Sequence, residues 1–127
     1  MFDKISIGAS YSRPDLADIW GYASFHAIAR GVVTPTGTNK IILFVTEEKQ
    51  SDHEQYEDRM DNGRLSWEGP TDHFAEQRMV NTANTGDEIH LFHRFRHHSD
   101  FVYIGQLELL SYAAHANNPS SFTFKIR

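Results

Sequence analysis

A chain of 127 residues with 39% apolar and 23% charged residues is long enough for one domain with a hydrophobic core, and this composition excludes a disordered chain. The absence of cysteine excludes a disulfide scaffold and a thiolate-bound zinc site. The net charge of −5 comes from one segment, residues 47–61, which holds seven acids and two bases, so the sequence is compatible with a positive face elsewhere.

The N-terminal stretch MFDKISIG lacks the basic region and the apolar run of a signal peptide. No apolar run in the sequence approaches the roughly 18 residues that a membrane span needs. We therefore expect a cytoplasmic protein that makes no membrane contact.

The first part of the chain predicts two short helices and one buried strand. Ser12 is placed to cap a helix that has Pro14 in its first turn and Asp15 three positions after the cap. Residues 24–31 (SFHAIARG) predict a second short helix that ends at a glycine. Residues 40–46 (KIILFVT) are mostly β-branched and aromatic without alternation, which is typical of a strand buried on both faces.

The rest of the chain predicts strands joined by turns. The acidic segment 47–61 is expected to be an exposed connection that lies away from any nucleic-acid face, and Asn62 and Gly63 predict a hairpin turn. Residues 71–83 predict a helix from a weaker pattern. Strands are predicted at residues 64–69, 88–95, 101–109 and 120–126. We therefore expect an α+β fold with five or six strands and two or three short helices, built as a curled, mostly antiparallel sheet or a small barrel.

The motif HRFRHH, residues 93–98, has three interpretations. A metal site is disfavoured because His93, His97 and His98 lie across a predicted strand end, whereas ligand pairs need regular spacing on one element. Arg94 and Arg96 share one face of the alternating strand and the last two histidines extend that face, which favours contact with an anion. A solvated hairpin without a ligand is the third interpretation, and the sequence leaves it open.

Trp67 and the loop at residues 34–39 (TPTGTN) each have two interpretations. Trp67 is either a core side chain or a stacking surface for a base, an interaction worth about 1–3 kcal/mol. The loop offers hydroxyl groups, an amide and close backbone approach at Gly37. These groups suit the recognition of a base edge and are equally common in polar turns.

Catalytic motifs are absent from the sequence, which has no nucleophile elbow, no phosphate-binding loop and no dinucleotide-binding glycine pattern. His73 lies near Asp72 and Glu76, a combination suited to acid–base chemistry, but such neighbours are expected by chance in a chain with eight histidines. We expect no catalytic activity and no cofactor or metal.

Four segments occur together in one order: YSRPDLADIWG, RGVVTPTGTNKIILFVTEEKQ, QYEDRMDNGRLSWEG and EIHLFHRFRHHSDFVYIGQLELL. In this order they resemble a bacterial domain of unknown function that lies at the C-terminus of large helicase–nuclease proteins and beside restriction-type nucleases. The resemblance covers about residues 9–126. Its features are a tyrosine–arginine opening (Tyr11 to Arg13), an LFVT-x-x-K strand (Leu43 to Lys49), a tryptophan after a Tyr-Asp segment (Trp67), and an ending with LFxR (Leu91 to Arg94) and F-x-Y-x-G (Phe101, Tyr103 and Gly105).

The resemblance implies a module similar to the PUA-like and SRA-like readers of modified bases in restriction systems, which are curled β-sheets with a pocket for a flipped nucleotide. The sequence contains no helicase or nuclease portion. The resemblance therefore implies either a free-standing reader or one domain of a larger protein, and it does not imply cleavage.

Our hypothesis from the sequence is a module that binds modified duplex DNA in a restriction or phage-defence system, with a nuclease or helicase as a partner subunit or fused domain. The alternatives are a metal-dependent nuclease with His73, His93 or His97 as ligands, and a protein-interaction domain that uses residues 47–61. The residues expected to contact phosphates are Arg94, Arg96, His97, His98 and Arg30. The residues expected to form a base pocket are Trp67 and Tyr103 on either side of the base and Thr34, Thr38 and Asn39 at its edge.

Overall fold

One twisted sheet and a few short helices make up the fold. The structure, a computed structural model, describes residues 1–48 and 58–127. The strands are β1 (Ser10–Tyr11), β2 (Val32–Val33), β3 (Lys40–Thr46), β4 (Arg59–Asp61), β5 (Arg64–Glu68), β6 (Glu88–Arg94), β7 (Phe101–Ala113) and β8 (Ser121–Ile126). The helices are α1 (Arg13–Ile19), a 3₁₀ helix (Phe25–Ile28), α2 (Glu76–Val80) and α3 (Thr82–Thr85).

The strand order in the sheet is β2-β3-β6-β7-β8-β5-β4, and β1 pairs with the start of β7. Strands β3 and β6 are parallel, and the other pairs within the described residues are antiparallel. The α+β class and the mostly antiparallel sheet are therefore confirmed. The small-barrel alternative is wrong, because β2 and β4 stand at opposite ends of the strand order and do not pair with each other.

Two hydrophobic clusters cover the two faces of the sheet. In β3, Ile41 and Leu43 belong to the first cluster, while Ile42 and Phe44 belong to the second. The prediction that residues 40–46 are buried on both faces is confirmed for the interior of the strand. The N-terminal 30 residues supply much of the second cluster, including Leu16 and the 3₁₀ helix.

Strand β6 is also buried on both faces over much of its length, in place of the alternation predicted for it. His90 and Phe92, which the sequence placed on the basic face, are 5% and 0% exposed. They are buried because the N-terminal segment packs over that face of the sheet. Alternation alone could not indicate this cover, since it is made by residues about 70 to 90 positions earlier in the chain.

The local signals for turns and caps were mostly correct. The Ser12 hydroxyl accepts from the Asp15 amide and the Asp15 carboxylate accepts from the Ser12 amide, each at 3.1 Å, which is the predicted capping arrangement. Asn62 and Gly63 both have positive φ angles and form the β4–β5 turn. The second helix is shorter than predicted, and residues 71–83 hold a loop before α2 and the start of α3.

The acidic segment is only partly open to description, because residues 49–57 lie outside the described part of the chain. At its start the prediction of exposure is wrong: Glu47 is 18% exposed, and its Oε1 accepts from the Met60 amide at 2.9 Å. Its Oε2 lies 3.2 Å from Nε2 of His93 without hydrogen-bond geometry. Near the other end of the segment, Asp58 lines a cleft that is described below.

Candidate nucleic-acid interface

A cleft of about 210 Å³ opens between the end of β5 with its following loop and the strands β2 and β3. We call it the Trp67 cleft. The side chains that determine its chemistry are aromatic, acidic and, in one case, basic: Trp67, Phe74, Asp58, Glu68, Asp72 and Arg30.

Trp67 forms the floor of this cleft and is also part of the core. It is 6% exposed, and its ring centroid lies 5.4 Å from that of Phe122 and 6.1 Å from that of Phe124. The interpretation of Trp67 as a core side chain is confirmed. Gly69 packs closely beside it, because a Cβ atom there would lie 3.3 Å from the Phe122 ring and 3.4 Å from the Glu76 carboxylate.

Phe74 also lines the cleft with an aromatic ring, and the sequence did not single it out. The Arg30 guanidinium lies 4.8 Å from its ring centroid, in a cation–π contact. Phe74 was missed because residues 71–83 predicted a helix, whereas residues 70–75 form a loop with positive φ angles at His73 and Ala75.

A polar cluster behind the cleft holds this loop. Nδ1 of His73 lies 2.6 Å from the buried carboxylate of Glu76 and 3.4 Å from the hydroxyl of the fully buried Ser120. A left-handed conformation at a residue with a side chain costs about 1–3 kcal/mol, so the loop needs such support. His73 and Glu76 do lie together, but the serine and the glutamate meet the same ring nitrogen. A relay from nucleophile to base to orienting carboxylate requires both nitrogens.

The carboxylates of the cleft are positioned by backbone amides. Oδ1 of Asp58 accepts from the Glu68 amide at 2.9 Å, and Oδ1 of Asp72 accepts from the Phe74 amide at 3.1 Å. Asp72 is exposed, and its second oxygen meets no hydrogen-bond donor in residues 1–48 or 58–127. Asp72 therefore presents a carboxylate oxygen as an acceptor in the cleft.

Four of the five predicted pocket residues do not lie in the Trp67 cleft. Thr38 donates to the Pro35 carbonyl at 2.8 Å and so holds its own loop, while Asn39 donates to the Gly86 carbonyl at 3.1 Å and ties that loop to the end of α3. Tyr103 belongs to the second hydrophobic cluster, whereas Trp67 belongs to the first. The expectation that Trp67 and Tyr103 flank one base is therefore wrong. Thr34 lies in a neighbouring depression that shares Arg30 and Phe74 with the cleft.

The predicted phosphate-contacting residues fall into two places. Arg30 lies at the Trp67 cleft, while Arg94, Arg96, His97 and His98 lie at the end of β6 and in the turn after it. The strand ends at Arg94, so the strand alternation that was to place Arg94 and Arg96 on one face does not extend to Arg96. Arg96 and His98 are exposed, and His97 is half-buried.

Arg94 itself is held tightly. Its Nε donates to Thr46 Oγ1 at 2.8 Å, its Nη1 donates to the Ser99 carbonyl at 3.1 Å, and its guanidinium lies 4.2 Å from the Phe101 ring centroid. Burial lowers the pKa of Arg94 from its ordinary value. The group still carries its charge at neutral pH, since an arginine is not deprotonated in proteins.

The histidines proposed as nuclease ligands do not converge. His73 contacts Glu76, His93 contacts Glu47, and the ring of His97 lies 6.1 Å from that of His98. Within the described ranges, no group of three or more potential ligands is placed to hold a metal ion. Within those ranges, too, no helix is long and apolar enough to span a membrane.

Residues 5–126 match a domain of unknown function, DUF3427. The chain belongs to this family. The match covers nearly the whole chain, which agrees with the extent of the resemblance seen in the sequence. No curated protein matches the chain in sequence.

Two solved structures share the fold with this DUF3427 chain, and both are SUVH5 SRA domains in complex with DNA. The complex with hemi-methylated CG DNA superposes with a TM-score of 0.64 at 11% identity and covers 96% of this chain and 88% of that one. The complex with fully methylated CG DNA gives a TM-score of 0.62 at 11% identity and covers 98% and 90%. The predicted SRA-like fold is therefore confirmed.

Proposed function

We propose that this chain is a DNA-binding module that recognises modified duplex DNA by accepting a flipped base in the Trp67 cleft. The observation that carries the proposal is the composition of this cleft, which combines aromatic walls with positioned carboxylates in a fold shared with SRA domains solved on methylated DNA. Recognition of a flipped base uses the same two elements, stacking and hydrogen bonds to the base edge.

The size of the cleft supports a single base. Its volume of about 210 Å³ lies below the range of about 300–1,000 Å³ that is usual for drug-sized ligands. A base in the cleft would stack on the face of Phe74 that Arg30 leaves open, and the Arg30 cation also suits a nearby phosphate. Trp67 forms the floor on which the base would rest.

The acceptor character of the cleft supports bases with an exocyclic amino group. Asp and Glu side chains accept from the N4 amino group of cytosine, and adenine carries a comparable N6 amino group. Guanine presents a third such amino group, N2, beside its N1–H. Thymine has no exocyclic amino group, and its O4 would face the carboxylates and be repelled. Asp72 is the strongest candidate for this contact, because it is exposed and one of its oxygens lacks a donor in the described residues. We therefore propose a modified base with an exocyclic amino group, and cytosine and adenine derivatives are the ones to test first.

The turn after β6 supports the contact with the duplex backbone. Arg96 and His98 are exposed there, and the Arg94 guanidinium lies at its start. Arginines contact phosphates without regard to sequence, so these residues would hold the duplex while the cleft provides selectivity.

The biological setting extends the proposal beyond the fold. We place this module in the cytoplasm, in a restriction or phage-defence system, beside a nuclease or helicase that is a separate subunit or a fused domain. The support is the resemblance to domains found with such enzymes. Co-purification of a nuclease or helicase with the native protein would test this setting.

The flipping step has its own experiment. A fluorescent adenine analogue beside the modified base brightens when its neighbour leaves the stack, so binding should increase its emission on the modified duplex. The same duplex without the modification should show binding without this increase. Equal emission on both duplexes at saturation, or no binding at low salt, would contradict base flipping by this module.

A further inference from the structure

Two arginine side chains from distant parts of the sequence meet at one aromatic ring. The Arg13 guanidinium carbon lies 4.9 Å from the Phe101 ring centroid and 4.8 Å from that of Phe44. The Arg94 guanidinium carbon lies 4.2 Å from the same Phe101 ring. Both cations thus contact the same ring, and they are near enough for the charge of Arg94 to act on Arg13.

Backbone carbonyls and a hydroxyl fix the two guanidinium groups further. Arg13 donates from Nε to the Ile28 carbonyl at 3.2 Å and from Nη2 to the Arg30 carbonyl at 3.3 Å. Arg94 donates to Thr46 and Ser99. A guanidinium has five N–H donors, so each of these two keeps three that no described residue accepts.

The two positive charges are not neutralised by the described part of the chain. Neither Arg13 nor Arg94 forms an ion pair there with a carboxylate. Burial, and in second place the positive charge of Arg94, lower the pKa of Arg13 from its ordinary value. Two partly buried like charges raise the free energy of the fold, and a bound anion would relieve this repulsion.

Both arginines line one open cleft of about 390 Å³, which we call the Arg13 cleft. Ser12, Ser99 and His98 add further polar groups to its lining. Asp100 is the carboxylate among its lining residues, and it makes no ion pair with either guanidinium. The cleft is therefore predominantly cationic and accessible to a small anion.

We propose that Arg13 and Arg94 together form a binding site for one phosphoryl group. Paired N–H donors of guanidinium groups match the oxygens of a phosphoryl group and give charge-assisted hydrogen bonds. The group belongs either to a duplex backbone or to a free phosphate. Arg13 donates to the carbonyl of Arg30, and Arg30 lines the Trp67 cleft, so the phosphoryl site lies next to that cleft. A duplex bound at the Trp67 cleft would therefore bring a backbone phosphate near this site.

Inorganic phosphate is the probe for this site, with chloride at equal ionic strength as the reference. In the unmodified chain, phosphate should shift the Nε–H resonances of Arg13 and Arg94 saturably. At roughly ten times its Kd it should also raise the melting temperature by about 4 °C. Arg94→Gln should abolish the rise in melting temperature. Arg78→Gln is the matched control and should keep it, because Arg78 is paired with Asp87 elsewhere.

The resonance measurement needs no variant, so the test survives if Arg94→Gln fails to fold. Unshifted Nε–H resonances at high phosphate would overturn the site, as would an equal rise in melting temperature for Arg94→Gln and Arg78→Gln. A plain duplex then distinguishes the two sources. Competition between duplex and phosphate assigns the site to the backbone, and its absence assigns a free phosphate. Base recognition can fail without affecting any of these results, because none of them measures the preference for modified DNA.

Discussion

The hydroxyl oxygen of Tyr103 lies 2.7 Å from Nδ1 of His90, inside the second hydrophobic cluster. Nε2 of the same ring lies 2.9 Å from Oε1 of Glu88, which also accepts from Lys40 at 2.6 Å. An ionised carboxylate only accepts, so Nε2 carries the proton and Nδ1 accepts from the Tyr103 hydroxyl. Burial, with a smaller contribution from the charge of Glu88, raises the pKa of Tyr103 to about 12, which keeps this hydroxyl protonated.

The first prediction follows for Tyr103, which the sequence had placed in the base pocket. Tyr103→Phe leaves the buried Nδ1 of His90 without its donor, and such an unsatisfied group costs about 1–3 kcal/mol. We expect urea unfolding to show this loss of stability while the preference for modified over plain duplex is unchanged. Loss of that preference at unchanged stability would return Tyr103 to the site.

The second prediction concerns pH. Burial is the largest influence on His90 and lowers its pKa below the ordinary value of 6.5, although Glu88 acts in the opposite direction. A histidine with a lowered pKa in the folded state binds protons more readily when unfolded, so its contribution to stability is present above about pH 6.5 and declines as the pH falls below it. Urea unfolding from about pH 8 to about pH 5 should show this decline, with a slope of at most about 1.4 kcal/mol per pH unit for one proton.

Two substitutions check that His90 is the source of this slope. His90→Gln should flatten the curve in this range, whereas His115→Gln should leave it unchanged, because His115 is exposed. A further decline is expected below about pH 4.5. Hydrogen bonds from Lys40 and then His90 lower the pKa of Glu88, and the stability that this carboxylate contributes is lost as it takes up a proton. Identical curves for the parent chain and His90→Gln between about pH 8 and about pH 5 would disprove the assignment of that slope to His90.

Local sequence patterns predicted the features that short stretches determine by themselves. The Ser12 cap and the Asn62–Gly63 turn depend on neighbours within a few positions, and the continuous apolar pattern of residues 40–46 can be read from that stretch alone. Strand β1 gave no such signal, since its two residues form a strand only because Ser10 and Tyr11 pair with Val102 and Phe101.

The candidate site was predicted less well for the same reason. Trp67 was identified because it lies near the end of a recognisable strand. Phe74, another aromatic residue of the cleft, lies in a loop that the pattern assigned to a helix. Arg13 looked like part of a helix start, and its contact with Phe101 spans most of the chain. Long-range contacts of this kind leave no periodicity in the sequence.

The third prediction concerns the backbone contact. Arg96→Ala should weaken binding equally for modified and plain duplex, and it should reduce the slope of affinity against salt by about one unit. Arg96 is suited to this test because it is exposed and its side chain contacts no partner within the described residues. Arg96→Lys should retain part of the binding.

Arg64→Ala is the matched control for the loss of one positive charge. Arg64 is exposed and lies opposite Lys125 in the strand register. Lys125 in turn lies opposite Glu108, which is far along β7 from the turn that carries Arg96. Its salt slope should equal that of the parent chain. A larger change for Arg64→Ala than for Arg96→Ala would place the duplex on another face.

The fourth prediction concerns the base edge. Asp72→Asn keeps an oxygen for the Phe74 amide but removes the charge, and its amide can place a donor where the base presents one. We expect the affinity for the modified duplex to fall by about 1–3 kcal/mol and that for plain duplex to change little. Asp18→Asn on α1 removes the same charge from an exposed position and should bind like the parent. An Asp72→Asn variant that keeps the parent's ratio of affinities for modified and plain duplex would exclude Asp72 from the base edge.

The choice of variant for the cleft wall follows from burial. Trp67→Ala truncates a core side chain and should cost about 3–5 kcal/mol of stability, so a lost preference for modified DNA must be measured on protein that still melts cooperatively. Phe74 is only partly buried, at the edge of the first cluster. Phe74→Ala therefore removes a wall of the cleft with less damage to the core.

The ratio of affinities for modified and plain duplex, measured by fluorescence anisotropy on the parent chain and on Phe74→Ala, tests the central claim most directly. The parent should prefer a duplex with a modified cytosine or adenine, and Phe74→Ala should bind both duplexes with the weak, salt-dependent affinity of the parent for plain DNA. A parent chain that binds all modified and plain duplexes alike, or a Phe74→Ala variant that folds and keeps the parent's ratio, would contradict recognition of a flipped base in the Trp67 cleft.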